Sequence, residues 1–198
     1  MATTPPSRRL RRWTRTERAV HWVHATAFCI LLATGLCLYL PSLAELIGRR
    51  PLLKHVHLYT AASWAAALVV IVLVGDRRSL LRTAREVDLL GVPSRMNLGQ
   101  KLNTIATAAF AILFALSGFD LWYGERNTRF RFTNALLIHD WLMYISFFLL
   151  LGHLYLALLH PTTRHSLSGI TRGWVREDWA RRHHSKWVEE LRHGAETR

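Results

Sequence analysis

Four long apolar blocks constrain this chain more than any other feature. Residues 19–40 carry no charge and stop at Pro41, and residues 56–74 run up to Gly75 and Asp76. Residues 102–119 are again free of charge, and residues 132–159, interrupted only by Asp140, stop just before Pro161. A hydrocarbon layer of about 30 Å is crossed by roughly 20 residues of helix at about 1.5 Å per residue. A helix of a soluble bundle would show a polar stripe every three to four residues, and these blocks show none. The expectation is an all-α fold: a four-helix transmembrane bundle forming a single domain over residues 1–198.

The formal net charge of +13 would first point to nucleic acid. The basic residues lie between and beyond the apolar blocks and form no aromatic-interleaved groove, so a nucleic-acid partner is not expected. Their distribution instead orients the chain in a lipid bilayer. Six arginines precede the first block, six Lys or Arg lie between the second and third (Arg77, Arg78, Arg82, Arg85, Arg95, Lys101), and eight lie in the tail. The remaining two loops hold three each, namely Arg49, Arg50 and Lys54, then Arg126, Arg129 and Arg131. Basic loops stay inside, which predicts a multi-pass protein of the prokaryotic cytoplasmic membrane with both termini cytoplasmic. No small-residue cleavage site follows the first block, so that block is expected to remain as a span.

Cys29 and Cys37 are eight residues apart on one span, about 12 Å along its axis, too far to form a disulfide with each other. No Cys-x-x-Cys-His run occurs, which excludes covalent c-type haem attachment, and two cysteines cannot frame an iron–sulfur cluster.

The histidines carry the chemistry. His21 and His24 sit at the cytoplasmic entry of span one, and His55 and His57 at the outer start of span two. His139 and His153 are fourteen residues apart in span four. Fourteen steps of about 100° fall about 40° short of four turns, so both imidazoles leave one face, about 21 Å apart along the axis. One ligand from span one is level with His153 and one from span two with His139. Imidazoles facing each other at two depths are what two bis-histidine haems require. Zinc or copper would instead need ligands converging on one point. Spacing alone leaves His21 or His24, and His55 or His57, as the partners. Gly35 lies fourteen residues after His21 and, with Gly118 and Gly152, is a place where a missing side chain would admit a porphyrin edge; close helix packing is the alternative.

Several segments resemble the cytochrome b (gamma) subunit of membrane-bound formate dehydrogenases, whose relatives serve hydrogenases and thiosulfate reductases. They are Arg18-Ala19-Val20-His21-Trp22, Thr34-Gly35, Asn97-Leu98-Gly99-Gln100-Lys101, Leu136-Leu137-Ile138-His139, Gly152-His153-Leu154-Tyr155 and the tail from Trp179 to Trp187. The resemblance implies two haem b groups, with His57 and His139 as axial ligands on the outer side and His21 and His153 on the cytoplasmic side. It further implies a quinone pocket at Asn97, Gly99 and Gln100, taking menaquinone or ubiquinone. The partners implied are an iron–sulfur subunit and a catalytic molybdenum- or tungsten-pterin subunit. The chain would then be the quinone-reducing haem subunit of a respiratory oxidoreductase and not the formate-oxidising one. The alternative is a stand-alone b561-type cytochrome linking a small reductant or superoxide to quinone.

Outside the spans, residues 162–198 mix eight basic and five acidic residues with Trp174, Trp179 and Trp187. They are expected to form an amphipathic cytoplasmic helix, apolar face towards lipid or a partner, with His183 and His184 solvated or propping a partner contact. Residues 76–95 are expected to form a similar surface helix. Asn97 is also a candidate N-cap of span three.

Overall fold

The computed structural model describes residues 8–89, 94–130 and 132–196. Arg131 and Arg198, two of the basic residues in the charge bias, lie outside them, as do residues 90–93 of the loop before span three. Among the described residues the fold is all-α apart from one two-stranded sheet.

Among the described residues four helices are long and apolar enough to cross a membrane: α1 (Arg15–Tyr39), α3 (Arg50–Val74), α5 (Leu98–Gly124) and α6 (Ala135–Leu154), which continues as a wider π turn over Tyr155–Leu159. A short helix α2 (Pro41–Ile47) follows α1, with proline in its first turn and Gly48 at φ 66° closing it. Three of the spans extend a turn or more beyond the apolar blocks, and in two of them a capping box carries the helix start into polar sequence. At the start of α1, Thr14 Oγ1 accepts from the Glu17 amide at 3.3 Å while Glu17 Oε2 accepts from the Thr14 amide at 2.6 Å. At the start of α5, Asn97 Oδ1 accepts from the Gln100 amide at 2.9 Å while Gln100 Oε1 accepts from the Asn97 amide at 3.1 Å. Both are reciprocal capping boxes, each satisfying amides that a helix start leaves unpaired. Between α3 and α5, helix α4 (Arg77–Glu86) is capped by Asp76, whose carboxylate accepts from the Arg78 and Ser79 amides.

The chain divides into two compact units. One holds the span segments Val20–Leu73 and Ala106–His153. Its helices bury little against protein: Val70, Phe119, Phe148 and Trp141 are all more than half exposed, as suits side chains that face hydrocarbon.

The other unit combines the N-terminal segment as far as Ala19 with Val74–Ile105 and the chain from Leu154 onward. Here the tail departs from the single amphipathic helix expected. It breaks into α7 (Leu167–Arg172), a strand β2 (Trp174–Arg176), α8 (Glu177–His183) and α9 (Ser185–Glu196). The first break is Gly173, at φ 89° with the Trp13 carbonyl 3.0 Å from where a Cβ would stand, which only glycine tolerates. Strand β2 then pairs antiparallel with β1 (Arg9–Arg11), Leu10 opposite Val175. The apolar face is consequently turned inward: Val175, Trp179, Ala180, Trp187 and Val188 form a small core, with Trp187 1% exposed. His184, expected to be solvated or to prop a partner contact, is buried within this chain at the break between α8 and α9.

A charged cluster ties this unit together. Arg95 donates to Glu17 Oε1 at 2.9 Å and to Glu86 Oε2 at 2.8 Å, and its Nη1 donates to the Arg12 carbonyl at 2.7 Å. Arg12 donates to the Arg95 carbonyl at 2.7 Å and lies over the Trp179 ring. Three sequence regions therefore meet in one buried cluster, in which Arg95 is paired with Glu17 and Glu86 while Arg12 is held by neutral acceptors and keeps its Nε buried without a partner among the described residues.

Candidate functional site

In the span unit the structure brings the histidines together in twos. His57 of α3 and His139 of α6 have ring centres 6.3 Å apart, and His21 of α1 and His153 of α6 have ring centres 6.4 Å apart. Helix α6 supplies one ring to each pair, because fourteen residues of regular helix return to one face. His24 and His55 join neither pair. His24 stacks on Phe28 and approaches Trp64, and His55 stacks on Tyr59. Among the described residues no three His, Cys, Asp or Glu side chains converge on one point.

Each ring of the first pair is held from behind. Thr34 Oγ1 lies 2.8 Å from His57 Nδ1, and Ser117 Oγ lies 2.9 Å from His139 Nδ1. The residue after each hydroxyl is glycine. A Cβ on Gly35 would stand 3.5 Å from His57 Cε1, and one on Gly118 would stand 3.3 Å from His139 Cε1. A Cβ on Gly118 would crowd the His139 ring, one on Gly35 would meet the His57 ring at ordinary contact distance, and Gly152 faces open space. Ser117 went unremarked from sequence, and Thr34 only marked a resemblance. The signal available was the repeat of a hydroxyl-glycine dipeptide, Thr34-Gly35 and Ser117-Gly118, in two charge-free spans. In the second pair, His21 meets Trp22 edge-on, and its Nδ1 is buried without a hydrogen-bond partner among the described residues.

In the other unit, Asn97, Gly99 and Gln100 occupy the capped start of α5. Asn97 and Gly99 are exposed. Asn97 commits its oxygen to the cap, so the polar atom of its carboxamide left over from the cap is the Nδ2 donor. Gln100 Oε1 also accepts from Arg12 Nη2 at 3.0 Å, which gives Gln100 a structural task.

Residues 12–173 match the family described as prokaryotic cytochrome b561. The chain belongs to that family. Its membrane-spanning helices are those of a multi-pass cytochrome b, a class that carries b-type haem and transfers electrons. Among curated relatives, the formate dehydrogenase cytochrome b556(fdo) subunit of Escherichia coli strain K12 is 28% identical, with 91% of this chain and 92% of the relative covered. The formate dehydrogenase cytochrome b556 subunit of Haemophilus influenzae is 23% identical over 87% of this chain and 79% of its own length. The nitrate-inducible formate dehydrogenase cytochrome b556(Fdn) subunit of Escherichia coli is 21% identical, with 88% of each chain covered. This prokaryotic cytochrome b561 family member therefore shares its length, and not merely a motif, with cytochrome subunits of formate dehydrogenases.

Proposed function

We propose that this chain holds two b-type haems, one between His57 and His139 and one between His21 and His153, and carries electrons from a partner dehydrogenase to a membrane quinone. The observation that carries the proposal is the pair of ring separations, 6.3 and 6.4 Å. Metal–imidazole bonds of about 2 Å on either side of an iron put the two ring centres about 6 Å apart. The hydroxyls behind His57 and His139 occupy Nδ1 and leave Nε2 for a metal, which is the usual division of labour in a metal-bound histidine. A haem with two histidine ligands takes up and gives back one electron at a time with no open coordination position.

The chain's own residues would do the rest. The four histidines orient and hold, the apolar spans keep water away, and Asn97 offers an amide donor of the kind a quinone carbonyl accepts from. Gly99 keeps the surface beside it bare, and Gln100 holds the turn. The family resemblance and the relatives' names support a formate-dehydrogenase type of partner, with an iron–sulfur subunit delivering electrons and a molybdenum- or tungsten-pterin subunit oxidising the substrate. The charge bias of twenty basic residues against six supports cytoplasmic termini. Electrons would then cross the bilayer, each crossing worth about 2.3 kcal/mol per 100 mV of membrane potential.

Purification of the full chain in detergent tests this directly. Two low-spin haems per chain, reduced by a quinol, are expected, together with co-purification of a dehydrogenase from the native membrane. A preparation without low-spin haem bands overturns the haem assignment. A quinone-active cytochrome that never associates with a dehydrogenase overturns the partner and leaves a stand-alone cytochrome.

A further inference from the structure

The two histidine pairs are built differently, and the difference has an electronic consequence. Thr34 Oγ1 lies 2.8 Å from the Ile30 carbonyl oxygen, and Ser117 Oγ lies 2.7 Å from the Leu113 carbonyl oxygen. A hydroxyl has one proton, and a carbonyl only accepts, so in both residues that proton goes to the carbonyl one turn back. The hydroxyl oxygen therefore accepts from the imidazole, and the imidazole donates Nδ1–H at 2.8 Å for His57 and 2.9 Å for His139. Back-bonding to a carbonyl is ordinary for Ser and Thr in apolar helices and would by itself mean nothing. The second bond to a histidine is what ordinary back-bonding does not explain, and it occurs twice on two different helices. Both hydroxyl residues are buried, at 9% and 7% exposed, in helices that otherwise cover little of their surface. Each is followed by a glycine that faces the same histidine ring.

His21 has no such support: its Nδ1 is buried and unpartnered among the described residues. A histidine that donates Nδ1–H to an acceptor becomes a more basic ligand at Nε2, and a chain of hydrogen bonds ending on a carbonyl strengthens the effect. A more basic axial ligand favours ferric over ferrous iron and lowers the potential.

We infer that Thr34 and Ser117 are positioning residues that fix the tautomer of His57 and His139, and that the haem held by this pair is the lower-potential haem of the two. The inference rests on the two-haem reading above.

The test is a potentiometric titration of the purified haem-loaded protein, followed by the absorption of each haem. The wild type is expected to show two one-electron transitions, and His153→Ala to lose the higher one. Thr34→Val and Ser117→Ala each remove a hydroxyl at nearly constant volume. Each is expected to raise the lower potential by about tenfold in the reduction equilibrium, about 59 mV for one electron, with the upper one unmoved. Thr34→Ser and Ser117→Thr are expected to restore it. The inference is overturned if neither variant moves the lower potential, if both potentials move together, or if His153→Ala removes the lower one. Loss of one haem from both hydroxyl variants would also overturn it, reducing the two residues to packing. A wild type with fewer than two haems would refute the two-haem reading itself, a result distinguishable from all of these.

Discussion

Arg12 Nη2 lies 3.1 Å from His184 Nε2, joining residues 172 positions apart in the chain. A guanidinium only donates, so His184 accepts at Nε2 and must be neutral. Burial first, and then the charges of Arg12 and His183, push His184 from its ordinary 6.5 down to about 3. Burial likewise pushes Arg12 down to about 10, helped by the neighbouring charge of Arg95.

The sign of the pH dependence follows. Above pH 6.5 His184 is neutral whether folded or not, so its contribution is fully present. As pH falls from 6.5 towards 3, the unfolded chain takes up a proton that the folded one refuses, and stability is lost. Thermal unfolding followed by tryptophan emission, with Trp179 and Trp187 as reporters, is expected to show a midpoint that falls between pH 7 and pH 4. His184→Gln, which keeps an acceptor but does not titrate, should flatten that fall.

Arg95 is the most consequential charge outside the spans. Its side chain is 5% exposed and so is that of Glu17, while Glu86 is 6% exposed. Arg95→Ala would leave Glu17 buried without an ion partner and Glu86 with the exposed Arg82 alone, and is expected to cost about 3–5 kcal/mol. Arg82, which also pairs with Glu86 at 2.9 Å, is 49% exposed, and Arg82→Ala should cost no more than about 1 kcal/mol. Denaturant titration of the detergent-solubilised protein distinguishes the two.

Haem content tests the ligand set residue by residue. Alanine at His21, His57, His139 or His153 is expected to lower the count from two haems to one. Alanine at His24 or His55, whose rings pack on Phe28 and Tyr59, should leave two. Pyridine haemochrome assay of each purified variant measures this, and loss of a haem from His24→Ala would reassign the span-one ligand.

Asn97→Asp separates the cap from the quinone pocket. Aspartate keeps an oxygen on the Gln100 amide, now 2.9 Å from Asn97 Oδ1, so stability should be unchanged. It removes the amide donor and adds a charge, so the KM for quinone is expected to rise at least tenfold while both haems remain. An unchanged KM would move the quinone pocket elsewhere.

The spans, the Asn97 cap and the placement of His139 and His153 on one face are legible in the chain because each depends on local quantities. Apolar length, charge placement and helical periodicity are counted along the backbone without knowing what lies opposite. The tail is less legible, since its amphipathic pattern fits a helix on lipid as well as a fold upon itself. Gly173 and the strand it releases decide for the second.

The sequence by itself determined four apolar spans and set His139 and His153 on one face of the last, because hydrophobic length and helical period are counted along the chain; the cytochrome b561 family follows from the match over residues 12–173. Only the tertiary structure decided that Thr34 backs His57, that Ser117 backs His139, and that Arg95 gathers Glu17 and Glu86. Those contacts join residues 22, 23 and 78 positions apart, with Glu86 nine positions from Arg95. Each depends on how far one helix is rotated against another, and periodicity places a side chain on a face without saying which atom meets it.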